Sequence, residues 1–116
     1  MGGCCGLQYL VEADGSVYPC DFYGLDRWRL GSVLDNAWTE LDEAREELGF
    51  IRESQHVPEE CGRCRWYPLC RNGCRRDRLM EEGGLGRNYY CGAYRDFFAY
   101  ALPRLERARR LLRIGP

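Results

Sequence analysis

Cys61-Gly62-Arg63-Cys64-Arg65-Trp66-Tyr67-Pro68-Leu69-Cys70-Arg71-Asn72-Gly73-Cys74 spaces four cysteines by two, five and three intervening residues. These gaps follow neither the period of a strand nor that of a helix. The stretch therefore predicts a loop over about 58–75 organised by something other than a hydrophobic core. The whole chain has 116 residues and eight cysteines, so one small domain is expected and cysteine chemistry should decide its function. The remaining cysteines are Cys4, Cys5 and Cys20 before this run and Cys91 after it.

Charge and hydropathy exclude several classes. The formal net charge is −1, which argues against a basic nucleic-acid binder. All 17 basic residues are arginines, and they concentrate after residue 70, while the acids concentrate before it. Such asymmetry reads as two solvated faces or one docking surface. The basic 104–113 segment is interrupted by Glu106 and is not expected to bind RNA. No apolar run is long enough for a membrane span and no secretion signal is apparent, so a cytoplasmic location is expected.

The local signals predict an α+β domain. Leu7–Glu12 and Ser16–Cys20 are rich in strand formers and flank Asp14-Gly15, which predicts a β-hairpin over about 7–20. Asp35 or Asn36 could cap a helix over about 36–48 with Ala37, Leu41, Ala44 and Leu48 on one face. A short helix is expected at 50–55, and Gly83, Gly84 and Gly86 read as a flexible turn. A final helix over about 92–113 carries Tyr94, Phe97, Phe98, Ala101, Leu105 and Leu112 as an apolar stripe, with Pro103 expected to kink or divide it.

Three chemistries compete for the thiols. Disulfides need an oxidising compartment. Structural zinc usually takes two C-x2-C pairs, and only Cys61/Cys64 forms one here. Iron–sulfur clusters take four thiolates around a larger body and are often served by closely spaced cysteine runs. Spacing alone ranks iron–sulfur first, zinc second and disulfides third.

The series Cys5-x9-Gly15-x4-Cys20, then Cys61-x2-Cys64-x5-Cys70-x3-Cys74, then Cys91 resembles the seven-cysteine pattern of SPASM domains. Those domains are C-terminal extensions of radical S-adenosylmethionine enzymes. The segments Gly15–Tyr23, Arg29-Leu30-Gly31, Cys74-Arg75-Arg76 and Asn88-Tyr89-Tyr90-Cys91 are similar to the anaerobic sulfatase-maturating branch. The resemblance covers essentially the whole chain. It implies a small cluster-organised domain, residues 1–116, with two auxiliary 4Fe–4S clusters. By position Cys5, Cys20 and Cys74 belong to one cluster; the family's other ligand to it falls upstream of Met1, and Cys4 is an alternative. Cys61, Cys64, Cys70 and Cys91 belong to the second. The motif for the catalytic cluster, C-x3-C-x2-C, is absent, so the resemblance implies a fragment of a larger enzyme. The missing N-terminal barrel would hold S-adenosylmethionine and a third 4Fe–4S cluster.

The same resemblance implies a sulfatase substrate whose cysteine or serine is oxidised to formylglycine, with Asp21 as the general base. A turn or capping role is the plainer reading of Asp21. A peptide maturase forming thioethers or other crosslinks and a zinc-stabilised interaction module are the alternatives. Of the other residues, His56 reads as a loop residue and Trp66 and Tyr67 as shields for a cluster. Arg75, Arg76 and Arg78 read as solvated or salt-bridged, with donation to cluster sulfurs as the alternative.

Overall fold

The computed structural model describes residues 2–112. Strands β1 (Leu10–Val11) and β2 (Ser16–Tyr18) form the N-terminal hairpin, with Leu10 opposite Tyr18 and Val11 opposite Val17. Gly15 sits at φ +86°, a conformation that costs a residue without Cβ little. Asp14 completes the turn by accepting the Ser16 N–H at 2.9 Å and the Ser16 hydroxyl at 3.1 Å. A third strand, β3 (Gly31–Ser32), pairs antiparallel with β2. Two single 3-10 turns, Asp21–Tyr23 and Asp26–Trp28, fill the connection.

Helix α1 runs Trp38–Glu47, and neither Asp35 nor Asn36 is its cap. Ala37 takes the N-cap position, where its N–H is bonded by Glu40 at 2.8 Å. Asn36 is engaged elsewhere, accepting the Ser32 N–H at 3.0 Å and so closing the turn after β3. Val17, Leu30 and Leu41 make a small buried core, with Tyr9, Ala44 and Leu48 packed around it. Helix α2 is Phe50–Ser54.

The 58–75 stretch is not wholly irregular. It contains two single-turn helices, α3 (Glu59–Gly62) and α4 (Tyr67–Cys70). After α4 the backbone turns left-handed at Arg71, Asn72 and Gly73 in succession. A further 3-10 turn at Arg75–Asp77 leads into a second sheet.

That sheet corrects the expected flexible turn at 83–86. Strands β4 (Arg78–Glu81) and β5 (Gly84–Asn88) pair antiparallel, with a bulge between Arg78 and Met80. The reason is that Gly84 and Gly86 lie within a strand whose inward positions, Leu85 and Asn88, are buried. Helix α5 spans Cys91–Leu111; Arg113, at the end of the expected helix, lies outside the described residues.

Pro103 does not divide α5. Proline withdraws one N–H from the ladder and crowds the preceding turn. Here the Arg104 guanidinium donates to the Tyr100 carbonyl at 2.6 Å and lies over the Tyr100 ring, one turn back along the unbroken helix. The expected stripe on α5 splits. Tyr94, Phe98 and Ala101 turn inward, whereas Phe97 and Leu105 are exposed.

Candidate metal centre

Cys61, Cys64, Cys70 and Cys91 all line one open pocket of about 450 Å3. Three helices bring them there: Cys61 lies in α3 and Cys64 just past it, Cys70 ends α4 and Cys91 starts α5. The left-handed run after Cys70 lets the chain reverse, and the Asn72 N–H points back to the Cys70 sulfur at 3.4 Å. Burial pushes the Cys61 thiol up to about 11, with Glu60 and then Cys91, Cys70 and Cys64 adding like-charge repulsion. A bound cation reverses that balance, because it stabilises the thiolates that repel one another without it.

The walls of this pocket are set by residues that the sequence did not single out. Asn72 is buried and donates from Nδ2 to the Gly86 carbonyl at 3.0 Å. Its Oδ1 accepts the Asn88 N–H at 2.8 Å, and Asn88 in turn accepts the Tyr90 N–H at 2.8 Å, immediately before Cys91. The only sequence signal for this network is the turn-favouring Asn72-Gly73 pair. Trp66 and Tyr67 do line the pocket. Trp66 lies between the Arg65 guanidinium and Phe98.

Outside this pocket, Cys5 and Cys74 lie within electrostatic reach of one another. The Cys5 thiol is raised by burial and, more weakly, by Cys74, and is drawn down by Arg75 and Arg78. The Cys5 N–H is held by the Ser54 hydroxyl at 2.8 Å. Gly3 makes that approach feasible. It has φ +77°, and a Cβ there would lie 2.5 Å from Arg71.

Cys20 opens the 3-10 turn whose last residue, Tyr23, feels both Cys5 and Cys74. Its thiol is 3.2 Å from the exposed Asp21 carboxylate, to which it donates. Cys4 is exposed and has none of the buried surroundings of Cys5. Among the described residues, no three His, Cys, Asp or Glu side chains converge tightly enough to hold a single metal ion.

Arg75 and Arg78 are not solvated. Arg75 is packed against Tyr23, Trp28 and Phe50, with its guanidinium carbon 4.8 to 5.7 Å from the three ring centres. It donates to the Phe50 carbonyl at 3.0 Å and to Glu53 at 2.7 Å. Arg78 donates only to carbonyls, those of Gly3, Ser54, Asn72 and Gly73. Arg76 alone of the three is exposed, lying over Phe22.

Fold and thiols together define a small α+β domain in which four cysteines line one pocket beside a small apolar core. Residues 4–65 match the SPASM family, described as an iron–sulfur cluster-binding domain, and the chain belongs to that family. It is 53% identical over 106 residues to the cysteine-type anaerobic sulfatase-maturating enzyme of Clostridium perfringens strain 13, covering 90% of this chain and 29% of that one. Identity to the corresponding Clostridium novyi enzyme is 36% over 113 residues, covering 97% of this chain and 30% of that one.

Among solved structures, native anSMEcpe with bound AdoMet superposes with a TM-score of 0.81 at 51% identity, over 93% of this chain and 30% of that one. The same protein with AdoMet and the Kp18Cys peptide gives the same score, identity and coverage. The chain thus spans about 30% of the length of the relatives it matches. Among the described residues no helix is long and apolar enough to cross a membrane.

Proposed function

We propose that this chain is the auxiliary-cluster domain of a radical S-adenosylmethionine enzyme of the anaerobic sulfatase-maturating type, acting on a cysteine of a sulfatase. The observation that carries this reading is the convergence of Cys61, Cys64, Cys70 and Cys91 on one pocket, in a chain 53% identical to a cysteine-type enzyme. Thiolates are the soft anionic donors that iron–sulfur clusters take, and the open volume they surround suits a multi-iron body. Cys61, Cys64, Cys70 and Cys91 would hold one 4Fe–4S cluster. Cys5, Cys20 and Cys74 would hold a second, with Cys4 or a residue of a preceding segment as its fourth ligand.

When bound, such clusters supply one-electron acceptance. The chain's own residues supply the rest. Asp21 is exposed and sits directly beside Cys20. Once Cys20 is a ligand it no longer has a proton to donate, which leaves the Asp21 carboxylate free to take one from a substrate thiol. Proton and electron would then leave the substrate towards neighbouring groups. Hydrogen abstraction itself belongs to the barrel domain with its S-adenosylmethionine and third cluster, the implied partner of this domain.

The test is Asp21→Asn in the enzyme that joins this domain to its barrel. Asparagine is nearly isosteric but cannot accept the proton, and a positioned general base contributes about 10²–10⁴-fold. The variant is expected to keep its iron and to cleave S-adenosylmethionine while formylglycine production falls by that order. Maturation at the normal rate would return Asp21 to a turn residue, and loss of iron would make its role structural.

A further inference from the structure

Two buried guanidinium groups, Arg75 and Arg78, lie within electrostatic reach of the Cys5 thiol, and the protein compensates them incompletely. Arg75 and Arg78 are 5% and 6% exposed. Arginine is almost never so deeply buried unless an anion accompanies it, because the lost hydration costs several kcal/mol. Arg75 has one carboxylate partner, Glu53, whose side chain is half-exposed and therefore screened. Arg78 has carbonyl partners only, and among the described residues it takes part in no ion pair.

Two buried donors in this region are also unmatched. Among the described residues, Arg75 Nε and Trp28 Nε1 have no hydrogen-bond partner, although the Arg75 guanidinium carbon lies only 4.9 Å from the Trp28 ring centre. A buried donor left without a partner is destabilising, so an acceptor at this place would be favourable. Excess positive charge and vacant N–H donors at one place call for an anion able to accept hydrogen bonds. The sulfurs of an iron–sulfur cluster are both.

We propose that Arg75 and Arg78 are the buried counter-charge of the cluster held by Cys5, Cys20 and Cys74, and that they raise its reduction potential. The inference rests on the cluster assignment proposed above. Reduction adds one electron, and hence one negative charge, to the cluster without requiring a proton. A fixed cation in a region shielded from water stabilises the reduced form more than the oxidised one. Net charge, hydrogen bonds to sulfur and solvent exposure are the protein's means of setting such potentials. Both arginines are positioning residues in this scheme, since they act through the cluster.

Glu53 gives the proposal a test of sign. The enzyme that joins this domain to its barrel is reconstituted anaerobically with iron and sulfide and titrated with dithionite, following the reduced clusters by electron paramagnetic resonance. The wave of the first cluster is the one lost in Cys74→Ala. In Arg75→Met that cluster is expected to become at least tenfold harder to reduce, about 59 mV for a one-electron couple. Arg75→Lys, which keeps the charge, should restore most of the shift.

Glu53→Gln removes the competing anion and should move the wave the opposite way, while the second cluster stays fixed throughout. A merely structural role predicts no such reversal. If Arg75→Met fails to retain iron, the lysine and glutamine variants decide the matter. An unmoved first wave in Glu53→Gln, or shifts of the same sign in the methionine and glutamine variants, would overturn the proposal. If no wave of the unsubstituted enzyme is lost in Cys74→Ala, the cluster assignment itself is overturned, and this inference with it.

Discussion

Asn72 joins a left-handed backbone, φ 62°, to a buried side chain bonded on both sides, to Gly86 and to Asn88. Asparagine tolerates that conformation better than most residues because its short polar side chain bonds locally. Through this one residue the loop carrying Cys70 and Cys74 is tied to the strand that delivers Cys91. The thiols themselves are unequal in what depends on them. Cys64 and Cys70 line the pocket where little hydrocarbon is buried, so metal–thiolate bonds there act as folding energy. Replacing Cys64 or Cys70 with alanine is therefore expected to remove about one cluster's iron per chain and to lower the melting temperature sharply. Cys4→Ala, at an exposed thiol, should change the melting temperature little. Iron analysis with thermal unfolding under anaerobic conditions distinguishes them, and three equal losses would contradict the distinction.

At the scale of elements, the N-terminal hairpin depends on a carboxylate. The Ser16 N–H and hydroxyl hold the Asp14 carboxyl below its usual range. A group whose folded pKa is depressed contributes stability above its unfolded value, near 4, and loses it as pH falls through the lower folded value. The turn should thus loosen only on the acid side of pH 4. Ser16 amide exchange, corrected for its intrinsic pH dependence, is expected to show this step, and Asp14→Asn should abolish it.

The same hairpin was legible in the sequence because its signal is local: Asp14-Gly15 between two strand-forming runs. Strand β3 was not, since two residues carry no period and its pairing to β2 is decided by a distant contact. The β4–β5 hairpin hid behind Gly83, Gly84 and Gly86, which suggest a turn even though Gly84 and Gly86 occupy a strand. Spacing marked Cys61, Cys64 and Cys70 but ran them together with Cys74; Cys91 in its place came from the resemblance to SPASM domains, because spacing does not show which thiols face one another. Asn72, Asn88 and the buried state of Arg75 and Arg78 were hidden, because burial of a polar side chain is set by partners far along the chain. The α1 cap was misread for a related reason, as Asn36 answers to β3 rather than to the helix that follows it.

The molecule as a whole is extended, measuring 56 × 37 × 20 Å with a radius of gyration of 18.1 Å. A compact domain of this length would have about 13 Å. Its apolar core is small and lies among the first fifty residues, where Val17, Leu30 and Leu41 meet. The later half has the cysteine pocket, the second sheet and a long helix. Removing iron with a chelator under reducing conditions should therefore act regionally. Limited proteolysis read by mass spectrometry is expected to show cleavage spreading through 58–91 while 9–48 stays resistant. Uniform protection after chelation would show that the later half holds itself together without metal.

The Gly3 carbonyl bound to Arg78 joins residues 75 positions apart, and the Cys5 N–H bound to Ser54 joins residues 49 apart. The four thiols of the pocket, by contrast, lie within the 61–91 stretch. Chain-closure entropy grows with the logarithm of loop length, so the first connection costs about 0.8 kcal/mol more to form than one spanning 30 residues. Contacts between distant parts of a sequence also form late in folding. The segment bearing Cys4 and Cys5 is accordingly expected to be the last to dock and the first to come away, so on the proposed assignment the site nearer the C-terminus would be completed first.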